Sequence, residues 1–206
     1  MMQVFLEKTI KTFEGKRILK IHHEFAEGSI TPVIGPSGCG KTTFLRILAG
    51  LIPAEKGKIC FMGQDWLDTD KKIFVPTQKR NLGMVFQNYA LFPNMSVLEH
   101  LRYASQDPEW IGELLELGKL ESLGHHKPEH LSGGQQQRLA LIRALAPKPK
   151  LLLLDEPFSA LDKEIKSHLL LQLQNLWKRY PMTCLWVSHH PEEMEAMDLE
   201  IPLEIH

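Results

Sequence analysis

The run Gly35-Pro36-Ser37-Gly38-Cys39-Gly40-Lys41-Thr42 constrains this chain more than any other segment. It satisfies the pattern G-x-x-x-x-G-K-[ST], which needs a strand before it and a helix after it to be meaningful. Both flanks are present. Residues 29–34 form a short apolar run that reads as a strand, and residues 42–49 read as a helix with Gly50 at its C-terminal end. Polyphosphate requires backbone N–H groups turned inward on a concave loop, and glycine permits dihedrals at which a Cβ would clash. The phosphates would rest on a helix N-terminus, where orphan N–H groups and the helix dipole favour anions. Lys41 would reach the terminal phosphates as a point charge, the Thr42 hydroxyl would hold Mg²⁺, and Thr43 follows in the same first turn.

The rest of the chain reads as an α/β protein. Residues 2–6 and 18–25 alternate like strands, with Phe13-Glu14-Gly15 as the turn between them. Residues 53–57 read as a loop, 58–62 as a strand turning at Gly63-Gln64, and 81–87 as a buried strand. Helical periodicity follows over 96–104 and 109–117, with Ser96 and Asp107 as N-caps. Leu151-Leu152-Leu153-Leu154 is a continuous apolar run, as expected of a strand covered on both faces of a parallel sheet. Residues 163–180 read as a long helix stopped by Pro181, and 183–187 as a last core strand. The expected organisation is a single domain, 1–206. Its main lobe comprises 1–87 and 148–206, and a small helical lobe, 88–147, is inserted into it.

Two later segments narrow the chemistry. One is Leu131-Ser132-Gly133-Gly134-Gln135-Gln136-Gln137-Arg138, which runs into the helix-like 139–145. The other is the apolar strand ending in Asp155-Glu156-Pro157, followed by Ser159-Ala160-Leu161-Asp162. A carboxylate closing a buried strand needs a strong partner, and a Mg²⁺-bound water would supply one for Asp155. The Ser132-Gly133-Gly134 turn opens a helix and is a second ready-made anion site.

With the phosphate loop, these segments resemble the ATP-binding cassette (ABC) ATPases, the motor subunits of ABC transporters, in order and over nearly the whole chain. The resemblance implies a P-loop NTPase core with a parallel sheet, an N-terminal antiparallel β-subdomain and an inserted helical subdomain. It implies ATP and Mg²⁺ as ligands. Glu156 would then orient and polarise the attacking water, Gln87 would touch Mg²⁺ or its water, and His189 would contact the γ-phosphate. Phe13 would stack on adenine. Ser132, Gly133, Gly134 and Gln135 would close on the nucleotide of an opposite subunit, with Asp162 crossing the same interface. The segment Trp186-Val187-Ser188-His189-His190 departs from the commoner pattern, because His190 stands where the family carries an acid.

The resemblance further implies a homodimer or a pair with a similar subunit, head to tail about a twofold axis. It implies an integral membrane permease as partner, an extracytoplasmic binding protein reached indirectly, and a place on the cytoplasmic face of the cell membrane. Residues 85–97 look like importers of the polyamine, sulfate, sugar and molybdate group. The stretches 66–68, 74–76 and 101–104 lean towards molybdate, with polyamine, thiamine or another solute as alternatives. A non-transport ABC ATPase is the rival reading, and a plain phosphate-loop kinase or regulatory module is a third. Against the first rival, a net charge of −1 makes no case for nucleic acid. The motifs at 132–135 and 155–156 argue against the third.

Three cysteines, Cys39, Cys60 and Cys184, form no paired framework and suggest a reducing compartment. No signal peptide and no membrane-spanning run is expected, nor is an extra C-terminal regulatory β-domain. His22-His23 and His125-His126 read as solvated pairs, and Lys71-Lys72 and Lys79-Arg80 as exposed basic turns.

Overall fold

The computed structural model describes residues 1–12, 15–188 and 199–205. Two five-stranded sheets organise them. One is antiparallel, in the order β2-β1-β4-β5-β6: β1 Met2–Thr12, β2 Gly15–Phe25, β4 Lys56–Phe61, β5 Gln64–Asp68 and β6 Ile73–Phe74. The other is parallel, in the order β10-β3-β9-β8-β7: β3 Ile30–Ile34, β7 Leu82–Val85, β8 Leu151–Asp155, β9 Thr183–Val187 and β10 Leu203–Glu204. The expected mixture of a parallel core and an N-terminal antiparallel sheet is therefore observed.

The parallel sheet is apolar on both faces, and residue parity decides which face each side chain joins. Val33, Met84, Leu151, Leu153, Leu185 and Val187 enter one buried cluster. There they meet Phe44, Leu45, Ile47 and Leu48 of α1 (Lys41–Leu48) and the inner face of the antiparallel sheet. Ile30, Val85, Leu152, Leu154, Cys184 and Trp186 enter the other. It is completed by α2 Val97–Ala104, α3 Pro108–Gly118, α4 Gly133–Leu145 and α5 Lys163–Arg179. The helices between β7 and β8 thus share a continuous core with the sheet. A fully buried leucine contributes ~1.5–3 kcal/mol, so a sheet packed on both faces is a stiff platform for whatever projects from its end.

Local chemistry fixes the helix starts. Ser96 accepts from Glu99 N while the Glu99 carboxylate accepts from Ser96 N, a reciprocal capping box. Asp107 caps α3 by accepting from Trp110 N, with Pro108 next in line. Pro32 sits inside β3, which is unusual for a strand paired on both sides. Its neighbours Ile30 and Ile34 direct their carbonyls to the β10 side, and β10 begins only at Leu203, opposite Val33. The proline nitrogen therefore falls where the ladder has not yet started.

Several sequence expectations shift. β1 and β2 run several residues further than their alternating cores suggested, and Gly57 lies inside β4 rather than in a loop. β5 and β6 were not anticipated. β7 stops at Val85, so Gln87 lies on a turn beyond it. Arg80 is not an exposed turn residue: it is 5% exposed and donates to four backbone carbonyls.

Candidate functional site

In a parallel sheet all carboxyl ends lie on one edge, where ligands of open α/β folds bind. That edge gathers the sequence motifs. β3 leads into Gly35, β8 ends at Asp155, β7 leads towards Gln87, and β9 leads to Ser188. Phe13, His189 and His190 lie outside the described residues.

Gly35, Gly38 and Gly40 have φ of +150°, +79° and +110°. Gly40 is also pressed from below, since a Cβ there would meet Ile10 Cδ1 at 3.1 Å and Leu19 Cδ2 at 3.3 Å. The antiparallel sheet thus supports the loop. Pro36, Ser37 and Gly38 are exposed, Cys39 is buried, and Thr42 and Thr43 are half-buried. Gly40 caps α1 without a side-chain acceptor, and no acidic residue stands in the first turn. The N-terminal amides are left to an anion. Lys41 is 6% exposed, and its ammonium donates to Gly35 O at 2.7 Å and Pro36 O at 2.9 Å.

Asp155 is 2% exposed, and the Thr42 side chain lies beside its carboxylate. Burial pushes its carboxyl above the usual carboxylate range. The Thr42 contact opposes that shift, the Glu156 charge adds to it, and Arg46 and Lys41 oppose it at longer range. A buried carboxylate beside a hydroxyl, with a second acid adjacent, is a hard-oxygen donor set short of positive charge. Such a set suits Mg²⁺, which takes one or two protein oxygens and fills its octahedron with water and phosphate. Glu156 is half-buried with φ of +52°, uncommon for a residue with a Cβ, and its N–H donates to Val187 O at 3.0 Å.

Gln87 is exposed. The loop after it is fastened from the helices: His100 Nε2 accepts from Phe92 N at 2.9 Å, and His100 Nδ1 bonds Ser96 O at 2.8 Å. Burial lowers the His100 pKa, which agrees with a neutral ring that donates at Nδ1 and accepts at Nε2. Arg143 donates to Ala90 O at 2.6 Å and to Tyr89 O at 3.0 Å.

Ser132 caps α4 in a second reciprocal box, accepting from Gln135 N at 3.3 Å while Gln135 Oε1 accepts from Ser132 N at 2.7 Å. Ser132 and Gly133 are exposed. Among the described residues, no hydrogen bond joins this turn to the phosphate loop. Asp162 caps α5 by accepting from Ile165 N at 2.9 Å. The structure therefore brings Lys41, Thr42, Asp155 and Glu156 together and leaves the glycine turn elsewhere on the surface.

Sequence reasoning passed over Gln137, which is 1% exposed and bonds the loop after β8. A helical signal was available: positions 140, 141 and 144 are apolar, placing 137 on the same buried face.

Residues 18–159 match the family described as ABC transporter. The sulfate/thiosulfate import ATP-binding protein of Nephroselmis olivacea is 41% identical over 96% of this chain and 58% of its own length. The spermidine/putrescine import ATP-binding protein of Vibrio vulnificus is 38% identical over 91% of this chain and 50% of its own length. The chain therefore spans about half of the length of these curated relatives. A solved dimeric ATP-binding cassette, in a post-hydrolysis state bound to ADP and Pi, superposes with a TM-score of 0.81 at 28% identity. That match covers 100% of this chain and 97% of the other.

Proposed function

Because this chain belongs to the ABC transporter family, we propose that it is the ATP-hydrolysing subunit of an importer, acting as a pair of cassettes beneath a separate membrane permease. One observation carries the reading. The Thr42 side chain, at the N-terminus of an uncapped helix, meets the buried Asp155 carboxylate next to Glu156.

The proposed chemistry follows from these groups. The amides of residues 38–43 and the Lys41 ammonium hold the β- and γ-phosphates. Thr42 and Asp155, with Gln87 from the neighbouring loop, are the residues that would hold Mg²⁺. Bound there, Mg²⁺ would supply neutralisation of the charge that develops on the phosphate oxygens. Glu156 orients a water in line with the γ-phosphorus and draws on its proton. The water oxygen bonds to phosphorus, the bond to ADP breaks, and inorganic phosphate leaves. His189 is proposed to contact the γ-phosphate and Phe13 the adenine, both on the strength of the resemblance. Ser132, Gly133, Gly134 and Gln135 of a second copy cap the same nucleotide, with Asp162 near the junction. The exposure of Ser132 and Gly133, and the lack of bonds from this turn to the chain's own phosphate loop among the described residues, support that reading.

For the permease, the exposed aromatic pair Phe92 and Tyr103, 5.7 Å apart beside the Gln87 loop, offers an apolar contact. Among the described residues no helix is long and apolar enough to cross a membrane. The lobes are proposed to be 1–87 with 148–206, and 88–147. An oxyanion cargo is supported by the sulfate/thiosulfate relative. Molybdate is supported only by the sequence resemblance, and the polyamine relative keeps a cationic cargo in view.

The decisive experiment is Glu156→Gln. The variant retains Mg-ATP binding, accumulates as an ATP-bound dimer on gel filtration, and loses turnover by about 10²–10⁴-fold, the range of a positioned base. Wild-type turnover in that variant would contradict the assignment.

A further inference from the structure

The helix that opens at the glycine turn carries Gln137 five residues in, with 1% of its surface exposed. A buried amide must pair both its ends, because an orphaned polar group forfeits its hydration for nothing. Gln137 pairs both ends within one loop. Its Nε2 donates to Glu156 O at 3.0 Å and to Ser159 Oγ at 3.1 Å, and its Oε1 accepts from Ala160 N at 2.9 Å. The two peptide groups flanking the Glu156 Cα are consequently both held: the N–H by Val187 O across the sheet, and the carbonyl by Gln137 from the helix together with Ser159 Oγ, which donates to it at 3.3 Å. That grip fits a residue kept at φ of +52°. The helix and loop also approach closely at the turn itself, since a Cβ on Gly134 would come within 3.2 Å of Ala160 O and of Leu161 Cδ2. Asp162, at the far end of the loop, caps α5.

We propose that Gln137 is a positioning residue for ATP hydrolysis: it locks the glycine turn of α4 to the Glu156 peptide. When the turn engages a nucleotide held by the other copy, the water-orienting carboxylate of its own site is then set in the same movement. This rests on the function proposed above, in which Glu156 orients the water and residues 132–135 cap a second copy's ATP. None of the three bonds reaches a ligand. Gln137 therefore acts through Glu156, and its loss degrades the chemical step while leaving nucleotide affinity alone.

The test uses the full chain with Gln137→Met, which keeps the volume and drops all three bonds. Gln137→Glu is the second variant; it keeps the acceptor for Ala160 N–H and loses the donor to Glu156 O. Mg-ATP affinity, thermal midpoint and kcat are measured for each. Gln137→Met is expected to lose kcat by about 10²-fold, the scale of a misplacement near 1 Å, with affinity within roughly twofold of wild type. Gln137→Glu is expected to lose at least as much, because its carboxylate faces the Glu156 carbonyl with an acceptor and no donor. A cycle with Ser132→Ala then reads the coupling: the Ser132 substitution costs less kcat in the Gln137→Met background than in wild type.

A folded Gln137→Met with kcat within roughly twofold of wild type, or kcat falling only in step with affinity, overturns the proposal. Strictly multiplicative losses in the cycle do so as well. Should Gln137→Met fail to fold, unchanged kcat in Gln137→Glu does the same. An inactive wild-type chain would instead sink the proposed function itself, and this inference with it.

Discussion

Arg80 offers the sharpest test of how the phosphate-binding helix is held. Its Nη1 donates to Leu48 O at 2.6 Å and Ile47 O at 3.1 Å, the last carbonyls of α1. Its Nε reaches Val75 O at 2.9 Å and its Nη2 reaches Trp66 O at 3.2 Å. The guanidinium also stacks over Trp66, 5.2 Å from the ring centroid. Burial pushes its pKa down to about 10, so it remains a cation at neutral pH, placed where the helix dipole is negative. Ile47 O and Trp66 O also accept from Gly50 N and Val75 N. Arg80→Met therefore bears hardest on Leu48 O and Val75 O. At ~1–3 kcal/mol per buried group left unpaired, the gross loss is ~2–6 kcal/mol. Relief of the buried charge returns part of it, leaving a net destabilisation of ~2–4 kcal/mol. For a chain of this size that lowers Tm by roughly 4–16 °C, readable by calorimetry or by far-UV circular dichroism. Arg80→Lys keeps the charge but lacks the planar fork, and it should lose at least as much. A Tm within about 2 °C of wild type for Arg80→Met, or full rescue by lysine, would refute this reasoning.

Two further outcomes follow from the site and its partner. Asp155→Asn abolishes hydrolysis and raises the Tm of the nucleotide-free chain at neutral pH. The folded pKa of Asp155 lies above its unfolded value, so the folded state binds the extra proton and stability falls as pH rises through that window. The gain from Asp155→Asn is complete above the folded pKa and shrinks as pH falls below it, which a series of thermal melts would check. An affinity-tagged chain retained in native membranes should co-purify with an integral membrane protein, and Phe92→Ala with Tyr103→Ala should weaken that association while leaving basal ATP hydrolysis intact. Recovery of the chain from the soluble fraction alone, with no membrane partner, would count against the importer reading.

Much of the frame was readable in the sequence because it is written in local chemistry. The apolar run 151–154 and the caps Ser96 and Asp107 each carry their signal within a few residues. β5 escaped notice for a physical reason. Trp66, Leu67 and Asp68 are all buried in succession, so alternation is broken. Asp68 is inside because it accepts from Asp70 N and Lys71 N to close the next turn. Arg80 was hidden by its company: beside Lys79 it looked like one of a solvated pair, and nothing nearby in sequence reports that α1 ends against it. Gln137 was hidden in a run of three glutamines, where only the helical phase separates the buried one from its neighbours. Both misses are side chains whose partners lie far along the chain, and one-dimensional patterns do not encode those pairings.

Lys41 resting on the carbonyls of Gly35 and Pro36 has a consequence for discrimination among nucleotides. A triphosphate offers the Lys41 ammonium oxygens in place of those carbonyls, so binding exchanges one set of oxygen partners for another. Amides and an ammonium sense charge and spacing along the triphosphate tail and are blind to the heterocycle at its far end. Preference for adenine over guanine or cytosine must be earned outside this loop, and a tripolyphosphate ion with no base at all should compete for it.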